Sequence, residues 1–139
     1  MLNKKLEGVI KIAAEKNFEN RVKEYLKSVG IYPFGTPEDK MEVPIVGYYE
    51  KRFANAYTKS GLPDMHIGIK GFAIEVELKQ TKGKPSDLQL FNVDLIRKSG
   101  GFAIILYPDQ FEDFKDLIEY IKLIENPVPT FVQYQFDRG

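Results

Sequence analysis

Residues 72–108 read FAIEVELKQTKGKPSDLQLFNVDLIRKSGGFAIILYP, and this stretch decides the fold. In its first nine residues Phe72, Ile74, Val76 and Leu78 alternate with Ala73, Glu75, Glu77 and Lys79. Side chains alternate faces along a strand, so one face is apolar and the other carries the charges. Lys82-Gly83-Lys84-Pro85 is a turn, and Ser86 with Gln89 three residues on is a capping box. The spacing predicts a helix from Pro85 or Ser86 to about Ser99, presenting Leu88, Phe91 and Leu95, with Val93 and Ile96, to a core. Gly100-Gly101 ends it. FAIILYP (102–108) is almost wholly apolar, the pattern of a strand buried on both faces. Strand, helix and strand in this order form a crossover between neighbouring parallel strands.

Upstream, Asp64 to Lys70 reads as a strand hinged to the next at Gly71, and GYYEKRF (47–53) as another. Residues 31–47, with Pro33, Gly35, Pro37 and Pro44, read as a long loop excursion. The first thirty residues read as helix, with one apolar stripe of Leu6, Val9, Ile10 and Ala13 and another of Phe18, Val22, Tyr25, Leu26 and Val29. Asn17 is placed to cap a second helix and Gly30 to stop it. Downstream, Asp109 caps a helix running to about Ile124 with Phe111, Phe114, Leu117, Ile118 and Ile121 inward. Asn126-Pro127-Val128-Pro129 breaks it, and TFVQYQF (130–136) alternates like a final edge strand. The expectation is an α/β fold, a central mixed sheet flanked by helices, forming one domain over residues 1–139.

At 139 residues the chain suits one domain with a real apolar core. No apolar run reaches the ~18 residues of a membrane span, and the charged amino terminus lacks a secretory signal. With no cysteine there is no disulfide framework, zinc-thiolate site or thiol nucleophile, and a cytoplasmic location is expected. Twenty basic residues balance twenty acidic ones, which argues against a protein that coats polyanions generally. A nucleic-acid enzyme is compatible with that balance, because catalytic carboxylates offset a local basic patch.

The chemistry concentrates in Gly61-Leu62-Pro63-Asp64 and Glu77-Leu78-Lys79. A partner strand ending near Asp64 sets a second carboxylate beside Glu77, while Glu75, Glu77 and Lys79 share a face. Two carboxylates and an amine suit phosphodiester hydrolysis, since magnesium takes oxygen ligands and keeps several waters. Two such carboxylates repel, so one pKa is expected to rise. His66 shares the face of Asp64 in a regular strand and is more simply a hydrogen-bonded structural residue. Lys51, Arg52, Thr58, Lys59, Ser60, Lys82 and Lys84 flank the motif as candidate phosphate contacts, and Tyr48, Tyr49, Phe53 and Tyr57 as candidate stacking residues.

TKSGLPD (58–64), IEVELK (74–79), GKPSDLQ (83–89), GGFAIILYP (100–108) and NFENRVKEYLKSVG (17–30) resemble the VRR-NUC branch of the PD-(D/E)XK nucleases, relatives of Holliday-junction resolvases. The resemblance implies a restriction-endonuclease-like core and a divalent-metal-dependent DNA endonuclease, structure-selective for junctions or flaps. Its catalytic residues would be Asp64, Glu77, Lys79, Gln89 and Glu19. Asp64, Glu77 and the main-chain carbonyl of Leu78 would hold Mg2+ or Mn2+, and Glu19 would reach metal-bound water. Thr58, Lys59, Ser60, Lys82 and Lys84 would contact DNA. The interval from Lys79 to Gly83 matches the family only when Glu77, not Glu75, is the motif acid. Glu75 stands where the family is usually apolar, and the 31–47 excursion is longer than in minimal members. Cutting a four-way junction takes two active sites, hence a symmetric homodimer. The alternative is a nuclease-like module that binds nucleic acid or a partner without cutting.

Overall fold

The computed structural model describes residues 3–53 and 61–138. Its first element is a helix, Lys4–Ser28 (α1), capped by the Asn3 side chain, which accepts from the Leu6 amide at 2.8 Å. The break expected at Asn17 is absent, and α1 runs straight through it. An interior asparagine costs a helix only a fraction of a kcal/mol. Burial of Phe18, Val22 and Leu26 just beyond it outweighs that cost. At 1.5 Å per residue α1 is roughly 37 Å long, about twice the span of a five-residue strand. It therefore overhangs the sheet, and Leu6, Val9, Ile10 and Ile12 are exposed rather than packed.

Gly30 stops α1 as expected, with a left-handed φ of 88°. Its carbonyl accepts from Val46 and Gly47, and a Cβ there would lie 2.3 Å from the Pro44 carbonyl oxygen. Gly30→Ala is expected to destabilise the protein by at least ~1–2 kcal/mol, the cost of left-handed backbone alone. Urea unfolding checks this, and an unchanged midpoint would contradict the Gly30–Pro44 approach.

Five strands follow: β1 (Ile31–Pro33), β2 (Gly47–Lys51), β3 (Met65–Ile69), β4 (Phe72–Leu78) and β5 (Phe102–Leu106). They lie in chain order in one mixed sheet. β1 is parallel to β2, β2 to β4 form an antiparallel meander, and β5 is parallel to β4. The Lys70-Gly71 hinge has φ of 50° and 89°, the double positive φ of a type I′ hairpin turn. β1 lies within the stretch expected to be loop; three residues are too few for periodicity to reveal. The remainder of the excursion is pinned by Tyr32, whose hydroxyl donates to the Val43 carbonyl and accepts from its amide.

One sheet face carries the core. Ile31, Tyr49, Met65, Ile67, Ile69, Ile74, Val76 and Leu106 pack against Phe18, Val22 and Leu26 of α1. Phe111, Phe114, Ile118 and Ile121 of a third helix close the same layer. That helix (α3, Phe111–Lys122) is preceded by a 3-10 turn, Pro108–Gln110, so Asp109 sits inside the turn rather than capping α3.

The crossover helix (α2, Asp87–Lys98) joins β4 to β5 as expected, with its capping box intact, but it is rotated. Leu88, Phe91 and Leu95 are exposed, and Val93 is its buried residue. The part of the sheet beneath α2 offers Ala103 and the Glu77 carboxylate. The helix answers with Gln89 and Val93, one turn apart, rather than with its most apolar stripe. β5 is an edge strand, with Phe102, Ile104 and Ile105 only half buried. The expected burial of β5 on both faces is therefore only partial, because an apolar run does not say where the strand sits in the sheet. Thr130–Phe136 is a 3-10 helix instead of a strand, exposing Phe131, Tyr134 and Phe136. Alternation makes a segment fit to be a strand, yet only pairing makes it one, and β1 and β5 hold both edges. Among the described residues no helix is long and apolar enough to cross a membrane.

Candidate active site

The start of β3 and the end of β4 are paired, Met65 opposite Val76, so Asp64 and Glu77 meet at one end of the sheet. The chain entering Asp64 is held from several sides. The Arg52 amide donates to the Asp64 carbonyl at 2.7 Å, its guanidinium to the Pro63 carbonyl at 3.0 Å, and the Asn92 amide of α2 to the Gly61 carbonyl at 2.9 Å. The Asp64 carboxylate accepts from the Leu78 amide at 2.9 Å, which locks these ends of the two strands together.

Glu77 is only 2% exposed, an unusual place for a carboxylate. Its Oε1 accepts from Gln89 Nε2 at 2.9 Å and lies 3.5 Å from Lys79 Nζ. Its Oε2 is buried with no partner. Gln89 is held in turn by the capping box: its amide donates to Ser86 Oγ and its side-chain oxygen accepts from the Ser86 amide. The turn after β4 is fixed too, since Gly83 donates back to Gln80 and accepts from the Tyr107 hydroxyl.

Burial, first, and the neighbouring Asp64 charge push the Glu77 carboxyl up to about 7, while Lys79 pulls it down. The rise expected of neighbouring carboxylates is present, with burial the larger cause. Its sign for stability follows. Between pH 4.5 and about 7 the folded Glu77 holds a proton that the unfolded chain has released. Stability is therefore lost as pH rises through that window, by at most ~3 kcal/mol. Glu77→Gln, neutral at every pH, is expected to melt several °C above the native chain at pH 8 in EDTA. The difference should vanish near pH 4. Equal melting temperatures at both pH values would mean that Glu77 carries no buried charge.

No known protein family matches the sequence, and no curated protein does either. The functional argument rests on the residues themselves.

An orphaned, buried carboxylate oxygen beside a second carboxylate is a donor set for a hard cation. Among the described residues no group of three His, Asp or Glu is arranged to hold a metal. A set of Asp64, Glu77 and the main chain of Leu78 is smaller, and it fits a cation such as Mg2+ that keeps several of its waters.

Glu19 comes from α1, not to Glu77 but to two ammonium groups, Lys23 at 3.0 Å and Lys51 at 3.2 Å. Burial raises its carboxyl, but these hydrogen bonds outweigh it and hold Glu19 below the ordinary glutamate value. Lys51 also reaches Asp64 Oδ1 at 3.5 Å. Sequence reasoning treated Lys51 as a phosphate contact and missed this bridge. The signal was in the register, since Lys51 pairs with Met65, the neighbour of Asp64.

Glu19, Lys51, Asp64, Leu78 and Lys79, but not the buried Glu77, line a cleft of about 800 Å³ between the overhang of α1 and the turn after β4. Lys11, Lys51, Lys79, Lys82 and Lys84 line it together with Glu15, Glu19 and Asp64. Lys82 and Lys84 thus stand at the site, whereas Thr58, Lys59, Ser60 and Tyr57 lie outside the described residues. Glu75 does not join Glu77. It is taken by Arg52, at 2.5 and 3.3 Å, and by His66 Nδ1. His66 stacks against Tyr48 on the uncovered part of the sheet, and Tyr49 is buried in the core.

Proposed function

We propose that the protein is a divalent-metal-dependent DNA endonuclease of the PD-(D/E)XK type, of the VRR-NUC branch, with a restriction-endonuclease-like core. The observation that carries this reading is the Glu77 carboxylate, buried at the sheet end with one oxygen unpartnered between Asp64 and Lys79. Burying a charge without a partner is costly. A site that keeps one is built for a cation.

Asp64, Glu77 and the Leu78 carbonyl would hold Mg2+ or Mn2+. When bound, the cation neutralises phosphate charge and lowers the pKa of its water. Gln89, fixed by Ser86, orients the Glu77 carboxylate so that Oε2 stays free. The Lys79 ammonium positions the attacking water and offsets charge on the phosphate. Lys82 and Lys84, on a turn braced by Tyr107, offer cationic contacts to the DNA backbone. The lysine-rich cleft makes such contacts compatible with a chain of zero net charge.

The test is an assay on duplex, nicked, flap and four-way DNA with Mg2+ or Mn2+, at several protein concentrations. Metal-dependent cleavage, abolished by EDTA, is expected, with a preference for branched forms. A rate per protein chain that rises with protein concentration on four-way DNA is the mark of a working homodimer. One observation favours a second reading, a module that binds nucleic acid without cutting. Lys51 is itself ion-paired with both Glu19 and Asp64. DNA binding without turnover on any form would establish that reading instead.

A further inference from the structure

We infer that Lys51 is a built-in cation occupying the place of a second metal, so that the site takes a single divalent ion; the inference rests on the nuclease reading above. Two-metal phosphodiesterases hold their cations ~3.5–4 Å apart, and each cation needs oxygen ligands. At this site the carboxylates left over for a second cation are Glu19 and the outer oxygen of Asp64. Lys51 Nζ lies between them, 3.2 Å from Glu19 Oε1 and 3.5 Å from Asp64 Oδ1. The other Glu19 oxygen is bound to Lys23 at 3.0 Å, so neither Glu19 oxygen is open.

Lys51 is not a loose surface lysine. Its side chain is 16% exposed, and it stands on β2 in register with Met65. That register directs it to the sheet face that α1 covers, where Glu19 lies, while Glu77 points to the opposite face. Charge counting agrees. With Glu77 ionised, as it is once a cation binds it, Glu19, Asp64 and Glu77 bring three negative charges, and Lys23, Lys51 and Lys79 bring three positive ones. Among the described residues the only buried side-chain oxygen without a hydrogen-bond partner is Glu77 Oε2. One divalent ion there leaves an excess of two positive charges, which a phosphodiester offsets in part; a second ion leaves an excess of four. Lys51 therefore acts as a positioning residue, holding Asp64 toward Glu77 and closing Glu19 to metal.

Mn2+ binding to the whole chain, by calorimetry and electron paramagnetic resonance, tests the idea, with thermal melts to confirm folding. The native chain is expected to bind one Mn2+ and Lys51→Met two, the second through Glu19 and Asp64. Lys51→Arg, which keeps the charge, should bind one, and so should Lys51→Met combined with Glu19→Gln. Should Lys51→Met fail to fold, Lys51→Gln removes the charge while keeping a hydrogen-bond donor, and it too should bind two. Two ions on the native chain, or one on the uncharged variants, overturns the role of Lys51 and leaves the nuclease reading standing. No Mn2+ on the native chain overturns both.

Discussion

Asp64→Ala, Glu77→Ala and Lys79→Ala are each expected to lower Mg2+-supported DNA cleavage by ~10²–10⁴-fold, the range for loss of one positioned catalytic group. The reason differs at each residue. Asp64→Ala removes a carboxylate and also the acceptor of the Leu78 amide, so it loosens the β3–β4 end as well. Glu77→Ala removes a buried carboxylate whose second oxygen has no hydrogen-bond partner. Lys79→Ala leaves both carboxylates and takes away the ammonium 3.5 Å from Glu77. Because the three act as a unit, a double variant should cost little more than the worse single. Gln89→Ala is milder, since Glu77 keeps Lys79 but loses its orientation. Single-turnover cleavage on the best DNA form, beside circular dichroism of each variant, measures this. A Lys79→Ala chain that cuts at the native rate would remove Lys79 from the site.

Phe114→Ala is expected to cost ~3–5 kcal/mol, the usual penalty for emptying a buried aromatic site. Phe114 is 2% exposed in the layer between α3 and the sheet, edge-on to Tyr25 of α1 at 6.3 Å. No small shift of α3 refills the space, because Phe111 and Ile118 are buried on the same helix. A domain stable by ~5–15 kcal/mol loses a large part of its margin. Phe91→Ala makes the internal control. Phe91 is 63% exposed on α2, so its loss should change stability by no more than ~0.5 kcal/mol. Guanidinium unfolding of both variants decides it. A Phe91→Ala penalty as large as that of Phe114→Ala would mean that α2 presents its other face to the sheet.

That control also marks where reading the sequence stops. Helix α2, its Ser86–Gln89 box and its Gly100 stop were all legible, because caps and breakers act within a few residues. Which face α2 turned inward was not legible. Its apolar stripe pointed to Leu88, Phe91 and Leu95, but the sheet below offered a carboxylate, and Gln89 had to meet it. Glu75 and Glu77 were likewise indistinguishable by alternation. Their neighbours across the strands separate them: Glu75 faces His66 and Arg52, whereas Glu77 faces Gln89 and Asp64.

Local chemistry in the sequence was enough for the strand–helix–strand unit, the hinge at Gly71, the stop at Gly30 and the meeting of Asp64 with Glu77 across adjacent strands. Each follows from backbone preferences and two-residue periodicity, which do not depend on distant partners. The tertiary structure alone decided the edge position of β5, the 3-10 form of Thr130–Phe136, the overhang of α1 and the Lys51 bridge. Those depend on which segments find one another in space. Periodicity says which face of a strand or helix is able to be buried, and only the partner that arrives determines what it is buried against.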